Sequence, residues 1–343
     1  MDTKKLGQQT VCFASPPAVI GFGSAVGRKE GQGPLAAYFD FVGTDDTFGE
    51  KSWEKAETAM QQKALHCALK KAGVNPKELD YILAGDLLNQ CIATSYSLRA
   101  MDVPFFGLYG ACSTMAESLA LGAMLLDGGF GRYVAALTSS HFCSAERQYR
   151  TPLEYGGQKP PTAQWTATGS GAVILGQSGS GPYLTHVTVG KVTDKGITDA
   201  NNMGAAMAPA AYATLQAHFQ DTGRTPDFYD RIVTGDLGSL GKEIVLDFFR
   251  RDGVDLTPRY DDCGCLLFHA DAQDVHAGGS GCGCSAVVLT ASLLRQMREG
   301  GLKNLLFCGT GALHSPTSTM QGESIPGICH AIAITTEKKG GGK

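Results

Sequence analysis

The sequence predicts an α/β fold built from two copies of one unit, and three observations carry that expectation. The segment GVNPKELDYILAGDL (73–87) returns as GRTPDFYDRIVTGDL (223–237) at a constant offset of 150 residues. The two share Gly73/Gly223, Pro76/Pro226, Asp80/Asp230, Ile82/Ile232, Gly85/Gly235, Asp86/Asp236 and Leu87/Leu237. The next element repeats in outline as well. Cys112-Ser113 opens a helix that closes on Gly128-Gly129 and runs into a strand, and Cys284-Ser285 opens one that closes on Gly300-Gly301 and does the same. Finally, apolar runs of strand length alternate with helical stretches, the pattern of βαβ units. The copies are expected to span 1–180 and 181–343, one large duplication rather than an array of short repeats. Such crossovers give mainly parallel sheets, with ligands beyond the carboxyl ends of the strands.

Taken in order, Val11–Ala14 and Val19–Gly23 read as short strands, and Gly31–Gly49 as a loop with one apolar piece, Leu35–Phe41. Ser52 caps a helix that buries Trp53, Ala56, Met60, Ala64, Leu65, Ala68 and Leu69 and stops at Gly73. Asn75-Pro76 starts a short helical turn, and Tyr81–Ala84 is a buried strand ending at Gly85-Asp86-Leu87. Phe105–Leu108 is a strand that leads to Cys112 and a helix with Glu117 as its one interior charge, so that helix is expected to be buried nearly all round. Tyr133–Thr138 is a strand ending at Ser139-Ser140-His141. Phe142–Gly169 reads as a long polar loop, of a length that usually signals function or disorder. Ala172–Leu175 and Leu184–Val192 read as strands joined as a hairpin through 178–182. The second half restarts with helix Asn202–Phe219, strand Asp230–Thr234, helix Glu243–Arg250, helix Ser285–Met297, and strands Asn304–Cys308 and Gly327–Thr335.

Composition narrows the function classes. Apolar residues make up 43% of 343 and charged residues 18%, which suits a globular chain with a sizeable core. A net charge of −4 with no basic block argues against duplex nucleic acid as a partner. Eleven cysteines, an odd number spread through apolar segments, read as reduced thiols rather than a disulfide framework. The residues after Met1 form no hydrophobic signal core, and no uncharged run reaches the length of about 18 residues that spans a membrane. Membrane association is therefore expected only through partners.

Cys112 is the first candidate for chemistry. A cysteine at the start of a buried helix feels the positive end of the dipole and free backbone N–H groups, which favour thiolate and make an anion site; the competing possibility is an inert core cysteine. The two GDL motifs put Asp86 and Asp236 at equivalent strand ends, where two-fold related elements converge. Each could also be a buried carboxylate that accepts backbone N–H bonds. His141 ends the strand after the Cys112 helix, facing either the same pocket or local hydrogen bonds. The pairs Cys263-Gly-Cys265 and Cys282-Gly-Cys284 fit poorly with the C-x₂₋₄-C spacing of structural zinc, so no metal site is expected.

Duplicated halves with a cysteine opening the buried helix resemble the thiolase fold, which implies a five-layered α/β arrangement of two βαβαβ-type halves. ALKKAGVNPKELDYILAGD resembles the entry of type III ketoacyl synthases. GACSTMAESLALGAMLLDGG resembles their nucleophile segment, with Cys112 in the nucleophile position, and GGSGCGCSA (278–286) resembles their second-half glycine-rich loop. Those enzymes use His and Asn from the second half. Here Asp236 and Ser280 stand nearest those places, and the Gly-His-Pro motif of thiolases is missing. The resemblance thus implies a binding protein made from an enzyme scaffold, with Cys112 a vestigial nucleophile. The alternative is a thiolase or ketoacyl-synthase-III-like acyltransferase that uses Cys112.

A closer resemblance covers nearly the whole chain. AGDLLNQ (84–90), AERQYRTPLEYGGQKP (145–160), MGAAMAPAA (203–211), AGGSGCGCSAVV (277–288), GALHSPT (311–317) and ESIP (323–326) resemble the stage V sporulation protein AD family of spore-forming bacteria. This implies a forespore protein, peripheral at the inner membrane beside other SpoVA membrane proteins, that binds dipicolinic acid during its uptake. It implies no cofactor, with calcium entering only through a calcium dipicolinate ligand. A planar dianion wants an apolar slot for its ring and donors at both ends. The Cys112 helix start and the glycine-loop Ser280 would serve one end. Arg147, Arg150 and Lys159, in the long family-specific loop, are the candidates for a bidentate clamp at the other. Asp86 and Asp236 would serve only protonated, paired with His141 or an arginine, or holding calcium. A homodimer is the default that the thiolase resemblance implies.

Overall fold

The computed structural model describes residues 4–149 and 158–338. Its first half runs β1 (Ala18–Val26), α1 (Trp53–Ala72), β2 (Tyr81–Gly85), β3 (Phe105–Gly107), α2 (Thr114–Asp127), β4 (Tyr133–Ser140), α3 (Phe142–Tyr149) and β5 (Gly169–Gly176). The second half runs β6 (Tyr183–Thr188), α4 (Met203–Thr222), β7 (Arg231–Thr234), α5 (Gly238–Arg251), β8 (Tyr260–Asp262), α6 (Cys282–Val288), β9 (Asn304–Ala312) and β10 (Gly327–Thr335). Spatially the strands follow the order β8-β7-β9-β10-β6-β1-β5-β4-β2-β3. The second half thus repeats the strand order of the first, and the two meet where Tyr183 of β6 pairs with Ala18 of β1.

The repeated sequence makes repeated contacts. Ser52 caps α1 by accepting from Lys55 N at 3.3 Å, and Gly73 and Gly223 end α1 and α4 in the left-handed region. Asp80 accepts from the N–H groups of Arg132 and Tyr133. Its mate Asp230 accepts from those of Lys303 and Asn304. Each carboxylate thereby pins the start of β4 or β9 beside β2 or β7. Gly85 meets a steric demand, since a Cβ there would lie 1.9 Å from the carbonyl oxygen of Leu108.

The sheet is mixed rather than mainly parallel. In each half one three-strand group is parallel (β4-β2-β3, β9-β7-β8). The fifth strand returns antiparallel between the first and fourth. Parallel neighbours need a crossover, and β10 returns to β9 without one. The expected hairpin of β5 with β6 does not form. β1 lies between them, paired with β5 from Ala18↔Gly176 to Val26↔Gly169. β1 thus completes the first-half ladder, so the 177–182 connection hands the chain to the second half.

Helices α2 and α6 pack between the two halves of the sheet, α1 covers the outer face of the first half, and α4 with α5 covers that of the second. The apolar core divides accordingly into a central cluster and two outer ones. Met115, Leu119 and Leu126 of α2 are essentially fully buried, and each contributes about 2 kcal/mol of burial. Leu121 is exposed, and Met124 and Leu125 are half-buried, so one side of α2 reaches the surface. The polar stretch after His141 corrects the expectation of a loop. It holds α3, whose buried face carries Ser144, Ala145 and Glu146. A helix that buries polar residues shows no apolar stripe to read. Trp165–Thr166 adds a short parallel strand against Gly279–Ser280.

Candidate functional site

Cys112 sits in the single helical turn Ala111–Ser113 that precedes α2. Ala111 takes a positive φ of 52°, an uncommon conformation for a residue with a side chain. The turn is fastened by Ser113 Oγ on Gly110 O and Thr114 Oγ1 on Ala111 O, both at 2.7 Å. Beside it lies a cavity of about 230 Å³.

The floor of the cavity joins both halves of the chain. The Cys112 thiol lies beside the carboxylate of Asp236, which follows β7. Asp236 is fully buried and accepts from Gly281 N at 2.9 Å, Thr310 Oγ1 at 2.9 Å and Ser280 Oγ at 3.3 Å. Gly281 holds φ 95°, so the loop needs glycine there to aim its N–H at the carboxylate. Burial pushes the Asp236 carboxyl above the usual carboxylate range. Burial, and then the adjacent Asp236 charge, push the Cys112 thiol well above its ordinary value. This overturns the expectation of a thiolate. Desolvation and a neighbouring anion outweigh the helix end, and the sulfur is held as S–H.

The walls are apolar and aromatic. Leu87, Ala145, Met203, Ala312 and Leu313 supply aliphatic surface, and Tyr109, Tyr149 and His314 supply rings. Tyr109 and Tyr149 share a hydrogen bond of 2.5 Å between hydroxyls, and Tyr149 also donates to the carbonyl of Leu87. Burial and the Tyr109 hydroxyl raise the Tyr149 phenol, which keeps it neutral. The rings of Tyr149 and His314 lie 6.0 Å apart. Glu146 and Thr166 complete the wall, with Glu146 Oε1 accepting from Lys159 Nζ at 2.9 Å and Thr166 Oγ1 at 2.8 Å. Such a chamber offers an apolar slot for a planar ring and a polar floor of hydroxyl and thiol groups.

The structure thus brings Cys112, Asp236 and Ser280 together and places Lys159 one step away, behind Glu146. Three expected residues lie elsewhere. Asp86 is buried and accepts from Leu88 N and Thr94 N, each at 2.8 Å, and from Thr94 Oγ1 at 2.6 Å. It is a fastener for the turn after β2, and its neighbour Leu87 faces the cavity. His141 bonds the carbonyl of Asp46 through Nε2 at 2.7 Å and the N–H of Cys143 through Nδ1. It faces a separate small cavity beside Trp165, and burial lowers its pKa. Arg147 points to the outer side of α3, where it ion-pairs with Glu54. Arg150 lies outside the described residues.

Tyr109, Glu146, Tyr149, Thr166, Met203 and His314 are cavity residues that the sequence reasoning did not select. Four of them sit inside the strings that carried the family resemblance, AERQYRTPLEYGGQKP, MGAAMAPAA and GALHSPT. Searching those strings for aromatic and neutral polar groups, rather than for cations alone, would have found them. All eleven cysteines are free thiols. Among the described residues, no cluster of three or more His, Cys, Asp or Glu is arranged to hold a metal ion, and no helix is long and apolar enough to cross a membrane.

Comparison with known proteins places this geometry. Residues 7–335 match the family model described as stage V sporulation protein AD (SpoVAD). The chain is 47% identical over 338 residues to the stage V sporulation protein AD of Bacillus subtilis strain 168, covering 98% of this chain and 99% of that protein. Among solved structures, 3-oxoacyl-[acyl-carrier-protein] synthase III of Aquifex aeolicus VF5 superposes with a TM-score of 0.55 at 13% identity, covering 93% of this chain and 99% of that one. The corresponding synthase of Xanthomonas oryzae pv. oryzae gives 0.58 at 14% identity, covering 96% of this chain and all of that one. These likenesses identify a thiolase-like fold shared with 3-oxoacyl synthases. By family match and by identity along nearly its whole length, the chain belongs to the stage V sporulation protein AD family.

Proposed function

We propose that this sporulation-family protein is a non-catalytic binding protein for dipicolinic acid, free or as its calcium chelate, and that the cavity beside Cys112 is where the ligand sits. The observation that carries the reading is the cavity floor. A nucleophilic thiol needs a base that takes its proton and donors that hold an oxyanion. Here the group beside the sulfur is a buried carboxylate that keeps the thiol protonated, and its acceptor capacity is already used by Gly281, Ser280 and Thr310. The walls suit an aromatic ring, and Cys112 and Ser280 line the bottom of the chamber.

On this reading the protein serves ligand uptake into the forespore, peripheral to the inner membrane and beside membrane partners of the same system. A second copy would pair along β3, one of the two edges of the sheet, where Phe105 and Phe106 are exposed. The test is a pair of assays on one preparation: equilibrium binding of dipicolinate with and without calcium, and mass spectrometry of Cys112 after incubation with acyl-CoA. Saturable binding without acylation supports the reading. Stoichiometric acylation of Cys112 would replace it with the acyltransferase alternative.

A further inference from the structure

His141 and Trp165 border a second cavity, of about 60 Å³, separate from the one beside Cys112. Glu30, Asp46, Phe142 and Thr168 also line it. Glu30 is 1% exposed. Its Oε1 accepts from Thr168 N at 3.0 Å, while Oε2, fully buried, has no hydrogen-bond partner among the described residues. A buried carboxylate oxygen without a donor is costly. Asp46 brings a second carboxylate, and its Oδ1 accepts from Arg28 N at 3.3 Å. The two acids converge at Gly27. A Cβ there would stand 2.9 Å from Glu30 Oε2 and 3.0 Å from Asp46 Oδ1, so glycine keeps that space open.

His141 is already committed. Its Nε2–H donates to the Asp46 carbonyl at 2.7 Å, and Nδ1 accepts from Cys143 N at 3.2 Å. The ring therefore fastens Asp46 beside Glu30 instead of offering a ligand. The Lys29 ammonium lies on the face of Trp165, 3.6 Å from the ring centroid. Three carboxylates bear on that ammonium, those of Glu30, Asp274 and Asp46. One lysine thus leaves an excess of two negative charges when all are ionised. The groups that face each other across the open space at Gly27 are carboxylate oxygens, the donors that hard divalent cations prefer.

We propose that this second cavity is a binding site for a hard divalent cation of the calcium or magnesium class, with Glu30 Oε2 and Asp46 Oδ1 as its protein ligands. Such cations are bound through one or two carboxylates and keep water in their remaining positions. The cavity has room for an ion with a water or two. The ion supplies the partner that Glu30 Oε2 does not find in the protein, and it balances the excess charge. The site is independent of the chamber beside Cys112. Trp165 lines the ion cavity, whereas its neighbour Thr166 lines the larger one. The proposal therefore stands whether or not dipicolinate binds.

Terbium ion is the probe, because it takes oxygen sites of this kind and emits when a nearby tryptophan is excited. Trp165 lines the cavity, and Trp53, the other tryptophan of the chain, lies 5.5 Å from the His141 ring. The whole chain is titrated at about pH 8, above the value of about 7 to which burial raises the Glu30 carboxyl. The expected result is saturable emission that calcium or magnesium displaces, with affinity at least about tenfold weaker in Glu30→Gln and in Asp46→Asn. Asp46 is exposed, so its variant tests the site without disturbing the core. Asp45→Asn is the control: its carboxylate is turned to Thr47, and affinity should not change. Calcium should also raise the thermal midpoint of the wild type and of Asp45→Asn but not of the two ligand variants. No saturable emission from the wild type, emission that neither calcium nor magnesium displaces, or unchanged affinity in either ligand variant would overturn the proposal. So would an equal loss in Asp45→Asn, which would make the binding a diffuse property of surface acids.

Discussion

Asp236 is the point where both halves and the glycine-rich loop meet, so its removal has a calculable cost. Asp236→Ala deletes the acceptor for the Gly281 N–H and for the Thr310 and Ser280 hydroxyls. The hydroxyls can rotate toward other acceptors, but the Gly281 N–H is fixed by its backbone. A buried donor left unsatisfied costs about 1–3 kcal/mol, and a lost hydrogen bond to a charged group costs about 1.5–3 kcal/mol. Against this stands the cost of burying the carboxylate itself, which the alanine variant no longer bears. The net expectation is a loss of about 2–4 kcal/mol for alanine and about 1–2 kcal/mol for Asp236→Asn, which keeps one acceptor and can donate to Thr310 Oγ1. Urea unfolding at pH 7 with unchanged m-values measures both. An alanine variant within about 0.5 kcal/mol of the parent would refute the assignment of Asp236 as the fastener of the cavity floor.

The same carboxylate holds the Cys112 thiol up, so Asp236→Asn should lower the thiol pKa and speed its alkylation by iodoacetamide at fixed pH. An unchanged rate would mean that burial alone controls the sulfur. Glu30 is buried, and desolvation pushes its carboxyl from 4.5 up to about 7. A group whose folded pKa is raised loses stability as pH climbs from the unfolded to the folded value. Glu30 should therefore remove about 3 kcal/mol between about pH 4.5 and about pH 7. Thermal unfolding across that range should show this decline in the wild type and a flatter profile in Glu30→Gln; parallel curves would contradict it. If a second copy pairs along β3 as proposed, Phe106, half-exposed on that edge of the sheet, should matter to assembly, and Phe106→Lys should shift sedimentation from dimer to monomer; a wild type that sediments as a monomer would contradict the pairing.

The duplication was legible because it lives in short-range signals. Gly73 and Gly223 stop helices, Asp80 and Asp230 pin strand starts, and these residues look alike in sequence because they do the same local work. The convergence of Cys112, Asp236 and Ser280 was legible for the same reason, since strand ends and helix starts fix their places. What escaped depends on direction. His141 follows a strand end but turns to the carbonyl of Asp46, and Arg147 follows the outer face of α3 to Glu54. Asp86 and Asp236 share a motif yet diverge, one fastening a turn and the other the glycine-rich loop, because the residues opposite them come from distant segments. Helix α3 was hidden because its buried face is polar, and the state of Cys112 was misjudged because burial is a property of the assembled core.

The most direct test of the account is calorimetric titration with dipicolinate, with and without calcium, of the wild type and of Ala312→Trp, which fills the cavity. The account predicts saturable one-to-one binding by the wild type and a loss of about tenfold or more in the variant, equivalent to about 1.4 kcal/mol. Equal affinity in the two would place the ligand elsewhere, and no saturation by the wild type at millimolar concentrations would contradict the binding function itself.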